Sequence, residues 1–462
     1  MGEPNVKTCQ PESILGKAGT GAVLSLDAIG LQDTYLISNN VTSSSNSFFQ
    51  FTPVTHTQFT KYSASVQLNN DGSTNWPFNQ TVNVNLRPKE MGDILNNMYI
   101  KCTLPSLAGL AGSPQYCDNV GLAMFNQIQI SADDTILEII KCDWNLIYSE
   151  LYYTQEEHKI YTSIVNVDPV NGGNLYIPLH FFFSRRHSSS FTGDRGNLYF
   201  KPGFLTCASH KHRNLIVTLT FNPITFFSSA SSVSLSNFYL VTDEIILGDA
   251  ERQYFQNSVQ KNLITFTRND SVYPVVQTPF VSNLTPSVSV KVLHWFIRNQ
   301  LYENQSDPTY YNNRFNFSNK NYNLPFSSTS TLSQQETLNP IISQSILYLN
   351  GIQLTGLAQP VTVTNQKDGS FYFKFIQPLN HALTAPDRNI YTYSFCIDPA
   401  DPQPSGSLDF SQMDSRSTFL NCSLYSLTGS TRNTATWNMY MFYTSFNTIT
   451  YSNGLVSLDF GW

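Results

Sequence analysis

The strongest constraint on this chain is a recurrent two-residue alternation of apolar and polar side chains. Successive residues of a strand point to opposite faces, so an apolar residue at every second position builds one buried face and leaves the other wet. Val82, Val84 and Leu86 alternate with Asn83 and Asn85; Leu215, Val217, Leu219 and Phe221 alternate around Thr218 and Thr220; Phe371, Phe373 and Phe375 follow Asp368-Gly369. Each stretch reads as a half-buried antiparallel strand. Turn chemistry supports this. Asn350-Gly351 in LYLNGIQL supplies two residues tolerant of positive φ, as a type I′ hairpin requires, and Asn453-Gly454 and Asp71-Gly72 are weaker versions of the same device.

Composition excludes several alternatives. Of 462 residues only 13% are charged, while 13% are aromatic, with 32 Phe and 25 Tyr. The surface must therefore be covered mostly by Ser, Thr, Asn and Gln. Aliphatic and aromatic residues are too abundant for disorder, and Ala, Glu, Lys and Arg too scarce for a coiled coil. A formal charge of -6 argues against a basic nucleic-acid binder. The seven cysteines (Cys9, Cys102, Cys117, Cys142, Cys207, Cys396, Cys422) are scattered without a C-x-x-C pair, and are expected as reduced, mostly buried thiols. MGEPNVKTCQPES lacks the charged start and apolar centre of a secretory leader, and no apolar run approaches the roughly 18 to 20 residues that span a bilayer.

Helix signals are few. CDWNLIYSELYYTQEEHKI repeats Trp144, Ile147, Tyr148, Leu151 and Tyr152 at helical spacing, with Glu150, Glu156 and Glu157 on the opposite face; KEMGDILNNM is a candidate short turn. NPITFFSSASSVSLSN, residues 222 to 237, has the near-chargeless Ser-rich character of a linker and divides the chain almost in half. Each half is long enough for an eight-stranded sandwich. Residues 301 to 338, dense in Asn, Ser, Gln and Tyr, read as an exposed excursion.

Catalytic signatures are missing. Gly16-Lys17 lacks the rest of a phosphate-binding loop, and neither H-E-x-x-H nor G-x-S-x-G occurs. Cys207, His210 and His212 are the one compact set of soft ligands, without a fourth partner for zinc. The carboxylate pairs Asp133 with Asp134, Glu156 with Glu157, Asp243 with Glu244 and Asp249 with Glu251 read as solvated charge, and Arg185-Arg186 and Lys211-His212-Arg213 as plain surface charge. N-x-S/T sequons stand at Asn40, Asn79, Asn269, Asn283, Asn304, Asn316 and Asn421; Asn304 and Asn316 fall on the expected excursion, where a glycan would first be sought. No catalytic, cofactor-binding or metal residue is assigned, and no cofactor is expected.

The second half opens with FYLVTDEIILGDAERQYF and closes with YTYSFCIDPADPQPSGSLDFSQMDS, WNMYMFYTSF and NGLVSLDF. These segments closely resemble the major capsid protein of large nucleocytoplasmic DNA viruses. Tyr391 to Phe395 match its Tyr-rich strand, Pro402 to Ser407 its Pro-broken loop, Phe410 to Asp414 its polar segment and Asn453-Gly454 its closing hairpin. In the first half MGDILNNMYIKCTLPSL and IPLHFFFSRR, Ile177 to Arg186, resemble the same family. The likeness spans most of residues 85 to 462, PQPSGSLDF is its most specific piece, and the length fits compact marseillevirus- or iridovirus-like members. Independently of the family, Pro402 and Pro404 stop strand pairing and Gly406 permits a sharp return, so the loop reads as a rigid corner.

The resemblance implies an all-β fold of two tandem eight-stranded antiparallel jelly-roll barrels, a double jelly roll with a few short helical insertions. The expected divisions are an amino-terminal arm over residues 1–25, a first jelly roll over 26–225, a linker over 226–237 and a second jelly roll over 238–462. It further implies a homotrimer of nearly hexagonal outline that tiles the outer icosahedral shell of a virion, assembled in the host cytoplasm and not an enzyme. Implied partners are neighbouring capsomers, minor capsid or cement proteins, penton proteins and an internal membrane reached through the arm, with no direct nucleic-acid contact. Trp295, Phe296, Trp437 and Trp462 could serve a trimer interface, but a place in the core is the simpler reading. The rival readings are a β-sandwich glycan- or receptor-binding protein using residues 301 to 338, and a glycoside hydrolase on paired carboxylates.

Overall fold

The alternating segments become strands that pair in the same order twice. The computed structural model describes residues 57–68, 78–185, 187–188, 199–269, 272–304, 308–318, 340–354, 371–401, 403–424 and 437–460. Every element below belongs to the unit formed by residues 59–462. The expected arm, Asp71-Gly72, Asn40, Arg186, Pro402 and Trp462 lie outside the described residues.

In the first sandwich the principal strands are β1 (Phe59–Gln67), β2 (Thr81–Leu86), β3 (Ile94–Leu104), β4 (Phe125–Ala132), β5 (Thr135–Lys141), β6 (Gly173–Pro178), β7 (Leu215–Phe221) and β8 (Ser236–Leu247). One sheet runs β1-β8-β3-β6 and the other β2-β7-β4-β5, with antiparallel pairing throughout. The second sandwich contains β9 (Gln260–Asn269), β10 (Phe280–Asn283), β11 (Ser289–Asn299), β12 (Ile342–Leu349), β13 (Ile352–Gln353), β14 (Tyr391–Ser394), β15 (Phe419–Leu424) and β16 (Trp437–Ser452). Its sheets run β9-β16-β11-β14 and β10-β15-β12-β13, the same order as in the first. A last strand, β17 (Leu455–Leu458), folds back on β16 through Asn453-Gly454. Two antiparallel sheets with this order are the jelly-roll arrangement. The duplication is one of topology, without a visible sequence repeat. Each body is a sandwich of two open sheets rather than a closed barrel.

The expected hairpins form as the turn chemistry requires: φ is 47° at Asn350, 79° at Gly351, 53° at Asn453 and 79° at Gly454. The helix signal splits into α1 (Cys142–Tyr152) and α2 (Gln155–Val165). Thr154 begins the second with a reciprocal capping box, its Oγ1 accepting from the Glu157 amide at 3.3 Å while Glu157 accepts from the Thr154 amide at 3.1 Å. A further helix, α3 (Asp249–Asn257), connects the sandwiches.

Four expectations are corrected. Residues 222 to 235 are not a linker: Phe226, Phe227, Ala230, Val233 and Leu235 are buried in the first core, and β8 pairs with both β1 and β3. The strand expected to open the second body at residue 238 thus completes the first, because a near-chargeless Ser-rich stretch packs as readily as it links. KEMGDILNNM is no helical turn; its later residues enter β3, whose side chains Leu95, Met98 and Ile100 are fully buried. Phe371, Phe373 and Phe375 form no strand but a π-helical turn, Tyr372–Ile376, followed by a short helix over Gln377–Asn380. Phe371 lies tilted against Phe375 at 4.6 Å, Phe373 meets Trp295 at 5.0 Å, and the Lys374 ammonium donates to Asn389 Oδ1 at 2.9 Å. These tertiary contacts override the alternation. Finally, residues 312 to 318 are buried rather than an excursion, with Phe315 and Phe317 in the first core.

The corner at Gly406 is rigid for a reason the loop shows directly. Its φ is 139°, and a Cβ there would stand 2.9 Å from the Phe395 carbonyl oxygen. Gly351 needs positive φ too, yet a Cβ there meets nothing within 4 Å. Gly351→Ala is therefore expected to cost about 1 kcal/mol from backbone strain alone. Gly406→Ala should cost more, about 2–3 kcal/mol. Thermal unfolding of the two variants checks the order, and equal losses would mean that the corner yields.

Candidate functional site

Among the described residues the most elaborated chemistry is the seam where the first sandwich covers one face of the second. Strand β11 shows how the seam is built. Leu293, Trp295 and Ile297 point into the second core, while the intervening His294, Phe296 and Arg298 point at the first sandwich, so almost the whole strand is buried on both faces. Phe296, Ile264 of β9 and Phe442, Ile449 and Tyr451 of β16 join the core of the first body, making one apolar cluster that crosses the boundary. Trp144 of α1 lies 6.3 Å from Phe442 and 5.7 Å from His294.

Buried guanidinium groups clamp this contact. Arg185, on the segment after β6, donates to the His180 carbonyl at 2.9 Å, to the Thr265 carbonyl of β9 at 2.7 Å and to Glu138 of β5. Glu138 also accepts from the Phe182 amide at 2.7 Å and the Thr267 amide of β9 at 3.2 Å. Arg298 forks onto Asp143 of α1 at 2.8 and 3.3 Å and reaches Glu303 at 3.0 Å. Arg388 pairs with Asp118 at 2.8 Å and Glu150 at 3.0 Å, both in the first sandwich. Arg314 donates to the carbonyls of Phe226, Thr225, Asn304 and Tyr302. Arginine suits these positions because its planar, weakly hydrated fork satisfies several acceptors in fixed directions.

Burial pushes the Glu138 carboxyl up from its ordinary range, while Arg185 and the amides of Phe182 and Thr267 pull it back. Glu150 is likewise raised by burial and opposed by Arg388. His294, also at the seam, is held down to about 3 by burial. Thr392 donates its hydroxyl to the Leu293 carbonyl at 3.1 Å, so it accepts from His294 Nδ1 at 2.9 Å, leaving Nε2 to accept from Tyr152 at 3.4 Å. The neutral imidazole fits this arrangement. The closing hairpin makes a further latch: His212 Nδ1 faces Asp133 Oδ2 at 3.0 Å, Nε2 accepts from the Val456 amide at 2.9 Å, and the Lys211 amide donates to the Gly454 carbonyl at 3.0 Å.

Many residues singled out in the sequence serve structural contacts, while Asp134 and Glu156 are exposed as expected. Asp133 sits in a tight turn at φ 48° and serves His212 and the amide of Asn214, at 3.0 Å each. Cys207 is buried and His210 Nδ1 bonds its carbonyl at 3.0 Å; among the described residues no group of three or more possible metal ligands occurs. Glu244 accepts from Tyr62, Gly92 and Thr242, Asp243 from Ser63 and Asn97, and Asp249 pairs with Arg252 at 3.2 Å. Glu150 and Arg185, expected at the surface, are buried ion-pair members. Trp295, Phe296 and Trp437 are buried within the chain. Asn304 is exposed, but Asn316 is fully buried and bonded to Asn313 and Ser318, which closes it to a glycan in the folded state. Among the described residues six cysteines are free thiols, and burial pushes Cys102 and Cys422 up to about 12.

Breaking one clamp should expose its cost. Arg185→Met leaves the Glu138 carboxylate without its cation and is expected to lose about 3–5 kcal/mol, while Arg185→Met with Glu138→Leu should recover a large part of that loss. Denaturant titration of both variants decides; equal losses would show the pair uncoupled. Acid should also loosen the seam. In the unfolded chain His294 takes up a proton near its ordinary value of about 6.5, whereas in the folded chain it resists until about 3. Stability should therefore be fully present above about pH 6.5 and fall below it, by up to about 1.4 kcal/mol per pH unit from this group. His294→Phe should flatten that part of the profile, and an unchanged slope would assign it elsewhere.

Comparison with known proteins supports one family. The family described as large eukaryotic DNA virus major capsid protein matches residues 251–457, and that described as major capsid protein N-terminus matches residues 47–192. The major capsid protein of Phaeocystis pouchetii virus is 22% identical, with 85% of this chain and 91% of the relative covered. That of Pyramimonas orientalis virus is 21% identical over 85% of this chain and 90% of its own length. Among solved structures, PBCV-1 VP54 superposes with a TM-score of 0.67 at 17% identity, covering 90% of this chain and all of that one. The Faustovirus major capsid protein gives 0.62 at 11% identity, covering 94% and 97%. With one family match on each sandwich and the same strand order in both, the chain belongs to the major capsid proteins of large eukaryotic DNA viruses and has their double jelly-roll fold.

Proposed function

We propose that this major capsid protein works as a rigid tile: three copies form a capsomer of nearly hexagonal outline, and capsomers cover the facets of the outer icosahedral shell. The observation that carries this reading is the duplicated sandwich, two bodies of identical strand order locked by buried ion pairs and guanidinium hydrogen bonds. Three such chains present six similar bodies around a threefold axis, and a hexagonal block tiles a lattice with closely similar edge contacts. The work is binding and shape, with no catalytic step, a reading supported by Glu157 serving a cap, Asp133 a turn, and Glu138, Asp143 and Glu150 the clamps.

Partners follow from the same reading. Neighbouring capsomers meet through moderate, water-rich contacts suited to a surface low in charge. Minor capsid, cement and penton proteins complete the shell, and residues 1–25 reach inward to them or to an internal membrane, with no direct contact to the genome. Assembly takes place in the host cytoplasm. The formal charge of -6 supports the absence of nucleic-acid contact.

Light scattering of the purified protein is expected to give three times the chain mass, and electron microscopy of concentrated material to show hexagonal blocks. A chain lacking residues 1–25 should still trimerise but fail to recruit inner partners. A monomer at all concentrations would sink the tile.

A further inference from the structure

The closing hairpin ends against the first sandwich, and one imidazole holds it there. Strand β17 pairs with β16, while its Val456 amide donates to His212 Nε2 at 2.9 Å, with His212 only 7% and Val456 only 5% exposed. A ring nitrogen that accepts from an amide carries a lone pair, so the proton of the neutral ring sits on Nδ1 and is donated to Asp133 Oδ2 at 3.0 Å. Asp133 also accepts from the Asn214 amide at 3.0 Å, in a turn whose φ is 48°. The tautomer is thus fixed by a carboxylate on one side and used by a backbone amide on the other.

These two neighbours make opposite demands on the ring. A second proton can go only on Nε2, where its N–H would face the Val456 N–H, donor against donor. Asp133 favours that same charged ring. Burial alone would raise the Asp133 carboxyl, but the Asn214 and Arg213 amides and the His212 ring hold it below the usual carboxylate range, so it stays ionised where a histidine titrates. The other charged groups about the contact are Asp134 on the same turn, Lys211 and Arg213 flanking the histidine in sequence, and the Lys261 to Asp459 pair at 2.9 Å further along the hairpin. His210, beside Gly454, donates Nδ1 to the Cys207 carbonyl at 3.0 Å and keeps that bond in either charge state. Only His212 has a bond that the second proton destroys.

We propose that His212 is a proton-operated latch: uptake of one proton at Nε2 breaks its bond to the Val456 amide and lets the closing hairpin lift from the first sandwich. In the lifted state Nε2–H and the Val456 amide both turn to water, while Nδ1 keeps Asp133. The second tie moves with it, since the Lys211 amide donates to the Gly454 carbonyl at 3.0 Å and the turn is packed so closely that a Cβ on Gly454 would stand 2.7 Å from Lys211 Cγ. The event is local, whereas His294 lies within the seam and acts on the stability of the whole. It stands on the fold alone, so its failure leaves the tile untouched.

Hydrogen exchange of the intact protein, corrected for the intrinsic effect of pH on exchange, tests the latch between about pH 7.5 and 5, a range that brackets the ordinary histidine value. Protection of the Val456 amide is expected to fall by up to about ten-fold per pH unit through the transition, because opening takes up one proton. His212→Gln keeps an acceptor that does not titrate and should stay closed at both ends of the range; His212→Phe removes the acceptor and should be open at both, with circular dichroism confirming that each is folded. His294→Phe should retain the wild-type response. Wild-type protection that does not change with pH overturns the proposal, and so does a pH response that survives in either His212 variant. A response lost in His294→Phe instead assigns the change to the seam and overturns it as well.

Discussion

The structure depends on burying charge at the seam in a geometry that gives the buried guanidinium groups carboxylate and carbonyl acceptors. Arg185, Arg298 and Arg388 are each at most 6% exposed, and each joins carboxylates to partners across the boundary between sandwiches. Removing such charges from water costs several kcal/mol per ion, which is recovered only if every donor finds an acceptor. Here the acceptors are backbone carbonyls as well as carboxylates. The ion pairs therefore tie main chain to main chain, Thr265 of β9 to the segment after β6 through a single guanidinium. A change of angle between the bodies would break several of these bonds at once. The apolar cluster around Phe296 and Phe442 supplies the hydrophobic stabilisation, and the guanidinium forks fix the direction.

Because the seam is directional, the two bodies behave as different parts despite their shared topology. In strand β11 the outward positions are His294, Phe296 and Arg298; in the equivalent strand β3 they are Asn97, Tyr99 and Lys101. The first set suits a desolvated contact and the second a surface that meets water. The interruption of the helix at Thr154 belongs to the same design. Ending α1 there lets the Leu151 and Tyr153 carbonyls accept from Thr384 of the second body, at 2.8 and 2.5 Å. The helical insertion is thus half of an interdomain joint.

Much of the fold was legible in sequence, for identifiable reasons. Strands such as Thr81–Leu86 and Leu215–Phe221 bury one face only, so their alternation survives in the residue string; Asn-Gly turns announce themselves because few other pairs tolerate their dihedral angles. The family likeness supplied what periodicity could not, the doubling of the jelly roll. The seam was not legible. A strand buried on both faces loses its alternation, and VKVLHWFIRN reads as an apolar run dotted with unexplained cations. That run was the available signal: Lys291, His294 and Arg298 inside it had to be neutral or paired. Arg185 and Glu150 were assigned to solvent because their partners lie far along the chain, at Glu138 and Arg388. Three Phe residues at alternate positions did not predict the π-helical turn, because the contacts that select it, Trp295 and Asn389, come from elsewhere.

A wholly apolar seam would be simpler and could be as stable, since replacing buried ion pairs by well-packed hydrophobic groups is often neutral or favourable. What an apolar seam lacks is a preferred direction: greasy surfaces slide past each other at small cost, whereas a fork bonded to Asp143 on one side and Glu303 and the Arg314 carbonyl on the other does not. A tile multiplies its own angular error across every copy in a facet, so it gains more from a fixed angle than from extra stability. The low charge of the exposed surface and the high charge of the buried seam are then two consequences of one demand. In the proposed tile, contacts between blocks are numerous and individually weak, while the block itself must not bend.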